Sequence, residues 1–225
     1  MSSRGLSILE AAIKEFIRTG KPISSDELFK KYDFGVKPAM IRAELSELAK
    51  AGYLEQPHTS SGRVPTNKGY EFIANKALAE MKANLDNLKR GLFAKKFLDS
   101  HLNNLIGDVS GQLNLLSVGY RPKDKEISKQ GFGSLLKQLS VENKKDLIGV
   151  VNDFEELDKR VGKMAEFVDG NLPKVFVGKS PVTKSQHLSV VADVFKDGEN
   201  EMMVMVIGPK RMNYEKIIKF FRSLN

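Results

Sequence analysis

Residues 37–65 read KPAMIRAELSELAKAGYLEQPHTSSGRVP, and the organisation of the N-terminal third follows from them. Pro38 has no amide hydrogen to lose and a φ suited to a first helical turn, so a helix can begin there without penalty. Along that helix Ile41, Leu45, Leu48 and Ala49 fall on one side of the wheel and can pack on neighbouring helices. The other side carries Ala39, Met40, Ala43, Ser46 and Lys50, with Arg42 on the flank and Lys37 at the N-terminal end. Gly52 closes the helix. Tyr53–Gln56 and Arg63–Pro65 are short enough only for strands. The stretch between them, Pro57-His58-Thr59-Ser60-Ser61-Gly62, is a polar loop of turn formers.

Working outward, Leu6, Leu9, Ile13, Phe16 and Ile17 form one stripe of an amphipathic first helix, stopped by Gly20 and Pro22. Ser24 or Ser25 caps a short second helix with Asp26 and Glu27 in its first turn, where the helix dipole favours acids. Asp33-Phe34-Gly35 is a tight turn, and Thr66 or Asn67 caps a fourth helix running through Tyr70, Phe72, Ile73 and Ala77. Helix, helix, turn, helix, strand, polar loop, strand, helix is the order of a winged helix-turn-helix over residues 1–77. A recognition helix points its N-terminal end into the major groove. Lys37, Ala39, Met40 and Ala43 are therefore expected to face bases, with Ser46 on the same outer side. Arg42, Lys50, Thr59, Ser60 and Arg63 are expected to hold the DNA backbone, with His58 beside them in the wing. Gly62 is expected to let the loop run flat along the DNA backbone or into the minor groove.

The remainder reads as a helical connector and dimerisation region (78–128) followed by a small α/β domain (129–225), an α+β chain as a whole. Leu85, Leu88, Leu92, Leu98, Leu102, Leu105, Ile106, Val109 and Leu113 suggest one or two long helices over 78–117, broken near Gly91. Their apolar stripe is longer than one small domain needs, which makes it the expected dimer surface. Residues 119–134 look like a basic linker. Helices are expected over 134–168. Strands follow at 175–177, 188–195 and 202–207, the last two joined by a turn at Lys196-Asp197-Gly198, and Tyr214, Ile217, Ile218 and Phe221 mark a closing helix.

Composition narrows the function classes. A net charge of +8 suits a polyanionic partner, yet residues 1–75 hold 11 Lys and Arg against 9 Asp and Glu. An excess of only +2 makes position, not total charge, the argument for DNA. The absence of cysteine excludes disulfides and thiolate metal sites, and with no run of about 18 apolar residues the chain reads as a bacterial-type cytoplasmic protein without a membrane span. His58, His101 and His187 are scattered, so no histidine metal site is expected. Gly178-Lys179-Ser180 lacks the earlier glycine of a phosphate loop and is followed by Pro181. Gly131-Phe132-Gly133 lacks a third glycine. Asp153, Glu155, Glu156 and Asp158 alternate with Lys159 and Arg160 as a solvated helix face would. No nucleophile, base and orienting group can be assembled, so neither an enzyme nor a cofactor is expected.

Gly52-Tyr53-Leu54-Glu55-Gln56-Pro57-His58-Thr59-Ser60-Ser61-Gly62-Arg63-Val64-Pro65-Thr66-Asn67-Lys68-Gly69-Tyr70 closely resembles the HrcA family of heat-inducible transcription repressors. Gly35-Val36, Ile41-Arg42 and Leu48 fit the same pattern. Far downstream, Gly208-Pro209-Lys210-Arg211-Met212-Asn213-Tyr214 is similar to the family's C-terminal segment. The resemblance implies a homodimeric repressor of chaperone genes on an inverted-repeat operator, kept active by a GroEL-type chaperonin that heat diverts to unfolded chains. It also implies a GAF-like C-terminal domain carrying an inserted dimerisation subdomain. This chain is shorter than usual members, with the loss expected between about Tyr120 and Phe132. Lys37 and Met40 stand where the family usually has Ser or Thr. A regulator whose C-terminal domain senses a small molecule is the alternative; a protein-interaction adaptor without DNA is a third reading.

Overall fold

The computed structural model describes residues 1–58, 61–83, 101–141, 143–197 and 199–224. They form two compact units, 1–73 and 74–225.

The first unit is built on three helices: α1 (Ser3–Thr19), α2 (Ser25–Lys31) and α3 (Pro38–Lys50). Gly20 ends α1 in the left-handed region at φ 68°, where a side chain would be strained. Ser24 caps α2 reciprocally: its hydroxyl accepts from the Glu27 amide at 3.2 Å, and the Glu27 carboxylate accepts from the Ser24 amide at 2.9 Å. Ile41, Leu45 and Leu48 of α3 are buried, as their spacing predicts. The buried side of α1 is rotated from the expected stripe. Gly5, Ile8, Leu9, Ala12 and Ile13 lie inside, whereas Leu6 is 39% exposed. Glycine and alanine share that side with the larger Ile8, Leu9 and Ile13.

Strands β1 (Leu54–Glu55) and β2 (Val64–Pro65) pair antiparallel. A third extended residue joins them: Ile23 and Arg63 exchange both backbone hydrogen bonds, at 2.9 and 2.8 Å. Helix α4 (Asn67–Ala83) carries the chain from the first unit into the second.

In the second unit, α5 (Leu102–Leu113) leads into a five-stranded antiparallel sheet. Its strands are β3 (Leu116–Arg121), β4 (Glu126–Gln130), β5 (Lys174–Val177), β6 (Leu188–Asp197) and β7 (Asn200–Pro209), in the order β4-β3-β7-β6-β5. Between β4 and β5 come α6 (Phe132–Gln138), α7 (Lys144–Glu155), α8 (Leu157–Arg160) and a 3₁₀ turn (Val161–Glu166). Helix α9 (Tyr214–Leu224) closes the chain.

Leu116, Val118, Val190, Ala192, Met205 and Ile207 face one way and pack on Leu135, Val150, Leu157, Val161 and Met164. On the other face Phe195 stacks on Phe221 of α9, and Tyr214 shares a 2.8 Å hydrogen bond with Ser189. Gly119 lies so close beneath α5 that a Cβ would sit 2.7 Å from side-chain atoms of Ile106 and Leu102.

Several expectations are corrected. Residues 116–130 are not helix end and linker but a β-hairpin, with Tyr120 opposite Ile127, whose first strand also pairs with β7. The cause is alternation in Leu116, Val118 and Tyr120, which the basic residues Arg121, Lys123 and Lys125 at the turn disguise. The boundary expected at 128/129 falls inside β4. Leu102, Leu105, Ile106, Val109 and Leu113, expected at a dimer surface, are buried within this chain. Leu85, Leu88, Leu92 and Leu98 lie outside the described residues. Asp153, placed on a solvated face, is only 3% exposed.

Candidate nucleic-acid interface

Helix α3 is held at both ends in ways the sequence accounts for. Lys37 precedes it in extended conformation, with Pro38 in the first turn. At the other end the Lys68 ammonium donates to the Ala51 carbonyl at 2.8 Å and lies 4.3 Å over the Tyr53 ring. The Thr66 hydroxyl meets the Gly52 carbonyl at 2.6 Å. Unpaired carbonyls at a helix C-terminus are thus satisfied by the start of α4. Gly69 has its own constraint, because a Cβ there would meet the Tyr53 carbonyl at 2.4 Å.

With the apolar side of α3 fixed inward, Lys37, Ala39, Met40, Arg42, Ala43 and Lys50 are exposed and Ser46 is half-buried. Lys50 is engaged: its ammonium lies 2.7 Å from Glu47, a residue of the same outer surface. Both partners are well exposed, and such pairs contribute little to stability.

The loop after β1 is organised by Ser61. Its hydroxyl accepts from the His58 amide at 3.0 Å and donates to the His58 carbonyl at 2.7 Å, while Gln56 donates to the Ser61 carbonyl at 2.9 Å. Ser61 therefore builds the loop. His58 is exposed. Thr59 and Ser60 lie outside the described residues. Gly62 meets a constraint within the fold: a Cβ would sit 2.6 Å from the Ile23 backbone. The loop can close on Ile23 only through glycine.

That closure forms a cleft of about 360 Å³ lined by Ser24, Ser25, Asp26, Arg42, Gln56 and Arg63, among others. It brings together Arg42 of α3 and Arg63, the residue before β2. Arg63 Nε is buried and has no hydrogen-bond partner among the described residues. Ser24, Ser25 and Asp26 are read from the sequence only as the start of α2 and Gln56 only as part of a strand, none of them as part of this site. The signal that could have found them is Pro22-Ile23-Ser24, an extended apolar residue directly before a helix cap.

A second electrostatic cluster stiffens the helices behind this surface. Glu15 of α1 receives Arg18 at 2.7 Å, Lys31 at 2.5 Å and the Tyr32 hydroxyl at 3.1 Å. The Arg18 and Lys31 contacts, in that order, hold the Glu15 carboxyl down to about 2 from 4.5, with a smaller contribution from Tyr32 and against the effect of burial. Lys31 and Tyr32 close α2, so the network ties α1 to the end of α2.

In the second unit, Asp153 accepts from the Lys184 and Ser185 amides at 2.8 and 2.7 Å and pairs with Arg160 at 2.9 Å. It ties α7 and α8 to the segment entering β6. The cavity beside it, between Leu116, Leu135, Phe154 and Ile207, has about 10 Å³, room for about one water. The downstream motif is structural as well. Gly208 packs a would-be Cβ 2.9 Å from Leu115 and Met212, and Arg211 reaches the Gln138 carbonyl at 3.2 Å at the end of α6. Tyr214 donates back to the Lys210 carbonyl at 2.7 Å. Among the described residues no group of three His, Cys, Asp or Glu is placed to hold a metal ion, and no helix is long and apolar enough to cross a membrane.

These features define a two-unit α+β protein in which a compact helical unit with a β-ribbon precedes an antiparallel sheet layered with helices. Residues 70–218 match the family model described as "HrcA protein C terminal domain", and the chain belongs to the HrcA family. Three proteins described as heat-inducible transcription repressor HrcA are similar to it. That of Symbiobacterium thermophilum is 36% identical over 116 residues, 51% of this chain and 33% of its own length. That of Clostridioides difficile is 38% identical over 119 residues, 52% of this chain and 34% of its own. That of Desulforamulus reducens is 50% identical over 75 residues, 33% of this chain and 22% of its own. The matched stretch thus spans about a third or less of each relative. Among solved structures, a crystal structure of a hypothetical protein has TM-score 0.77, covering 100% of this chain and 96% of its own at 18% identity. That likeness is one of fold alone.

Proposed function

We propose that the chain is a sequence-specific DNA-binding repressor of heat-shock genes. In this reading the first unit is a winged helix-turn-helix: α3 lies in the major groove, and the Gln56–Gly62 loop is the wing, resting on the backbone. Two copies bind an inverted-repeat operator, each taking one half-site. The observation that supports it most is the outer side of α3. Six of the seven residues nominated there are exposed, and the side ends in a cleft lined by Arg42 and Arg63. Lys37, Ala39, Met40 and Ala43 face bases, and Arg42, Lys50 and Arg63 hold phosphates. The relatives' description as heat-inducible repressors favours chaperone genes as the targets. A GroEL-type chaperonin as the partner that sustains activity belongs to the same reading. Small-molecule sensing draws no support from the cavity beside Asp153, which is too small for a metabolite.

The test is a gel-shift titration of the full chain against DNA upstream of chaperone genes in its own genome, with and without purified chaperonin. Binding retained against excess unrelated duplex, and strengthened by chaperonin, is the expected result. Equal affinity for all duplexes, or no binding at physiological salt, overturns the reading.

A further inference from the structure

Met40 is 49% exposed and is the one large apolar side chain on the outer side of α3. It stands in the first turn of α3, with the exposed Ala39 and Ala43 beside it. None of these three side chains has a hydrogen-bond donor or acceptor able to match the polar edge of a base. The cations of these two turns stand at the margins, and their carboxylate, Glu44, is half-buried. Lys37 lies before the helix, and Arg42 lines the cleft it shares with Arg63, whose buried Nε has no partner among the described residues. An arginine pair flanking a cleft of about 360 Å³ fits a backbone phosphate and fixes how the helix lies. The centre of the face is then left to an apolar group. In the major groove the apolar feature that distinguishes one base from the others is the 5-methyl group of thymine. A thioether chain is flexible and polarizable, so it can close on such a methyl without demanding one rotamer.

We propose that Met40 is a specificity-determining residue that recognises the 5-methyl of a thymine in each half-site. The proposal rests on the DNA-binding reading above and names the chemistry of its central contact. Both bulky and small apolar residues at this face then act together, the alanines by keeping the helix backbone near the base edges.

The experiment uses the full chain and a duplex that it selects from a random pool. Each thymine within the footprint is replaced in turn by deoxyuridine, which removes the methyl and leaves the pairing edge intact. At one position per half-site the substitution should weaken binding by about fourfold, the worth of one buried methyl. Met40→Ser should bind the thymine duplex less tightly and be indifferent to uridine at that position, while Met40→Leu should restore the dependence. Because Met40 is exposed, these variants should keep the thermal midpoint of the parent. Tight binding with no uridine-sensitive position, or a Met40→Ser variant with an unchanged uridine penalty, overturns the proposal and leaves DNA binding standing. Failure to select any duplex removes the DNA reading and this one with it.

Discussion

Arg63 illustrates how one residue serves both architecture and chemistry. Its backbone pairs with Ile23 while its side chain lines the cleft. Arg63→Ala should therefore preserve the ribbon and remove one phosphate contact. Affinity should fall evenly across DNA sequences, and the slope of log affinity against log salt should shrink by about 1. An unchanged slope in a fluorescence-anisotropy salt series would take the cleft out of the mechanism. Glu15 gives a pH signature at the same scale. Its carboxyl titrates lower in the folded chain than in the unfolded one, so its contribution is complete above pH 4.5 and is lost as pH falls toward 2. Thermal midpoints of the parent and of Glu15→Gln should differ at pH 6 and converge toward pH 2; a gap independent of pH contradicts the network. Gly62 shows where residue-level reading stops. A glycine in a polar loop signals freedom at that position, but the sequence cannot say that the freedom is used to approach Ile23, 39 positions earlier.

At the scale of elements, α3 and α9 follow from the spacing of one buried face, and the β6–β7 hairpin follows from two apolar runs joined by a turn signal, its strands being buried on both faces. Reading failed at β3 and β4 for the opposite reason. Their turn is basic and their strands are short, so the composition resembles a linker, and only pairing with β7 reveals that β3 lies inside the sheet. The cleft was half readable. Arg42 and Arg63 carry charge that draws notice, whereas Ser24, Gln56 and Ser61 gain their roles from the fold. Asp153 was misread because an acidic residue among lysines and arginines resembles a solvated face, yet two backbone amides and Arg160 make its burial tolerable. Asp153→Ala should leave Arg160 and those amides without their acceptor and destabilise the second unit by roughly 3–5 kcal/mol. Urea denaturation followed by circular dichroism measures it, and a loss below about 1 kcal/mol would mean that water replaces the carboxylate.

For the whole molecule, the burial of Leu102, Leu105, Ile106, Val109 and Leu113 within the chain removes the strongest sequence argument for where two copies meet. A palindromic site still calls for two reading heads, because operator symmetry mirrors protein symmetry. Sedimentation should therefore show a reversible dimer, and a duplex carrying both half-sites should bind far more tightly than one half-site by joining two contacts. A strict monomer with equal affinity for full and half operators would refute that assembly.

The ion pair between Glu47 and Lys50 has a bearing on how such a protein moves about a chromosome. Residues 1–75 carry a surplus of only two positive charges, and on the outer side of α3 one cation already has an anion of its own. On the DNA-binding reading proposed above, bulk chromosomal DNA should then be a poor adhesive for this head, with brief dwell at random sites and long residence only where a sequence draws Lys50 from its neighbour.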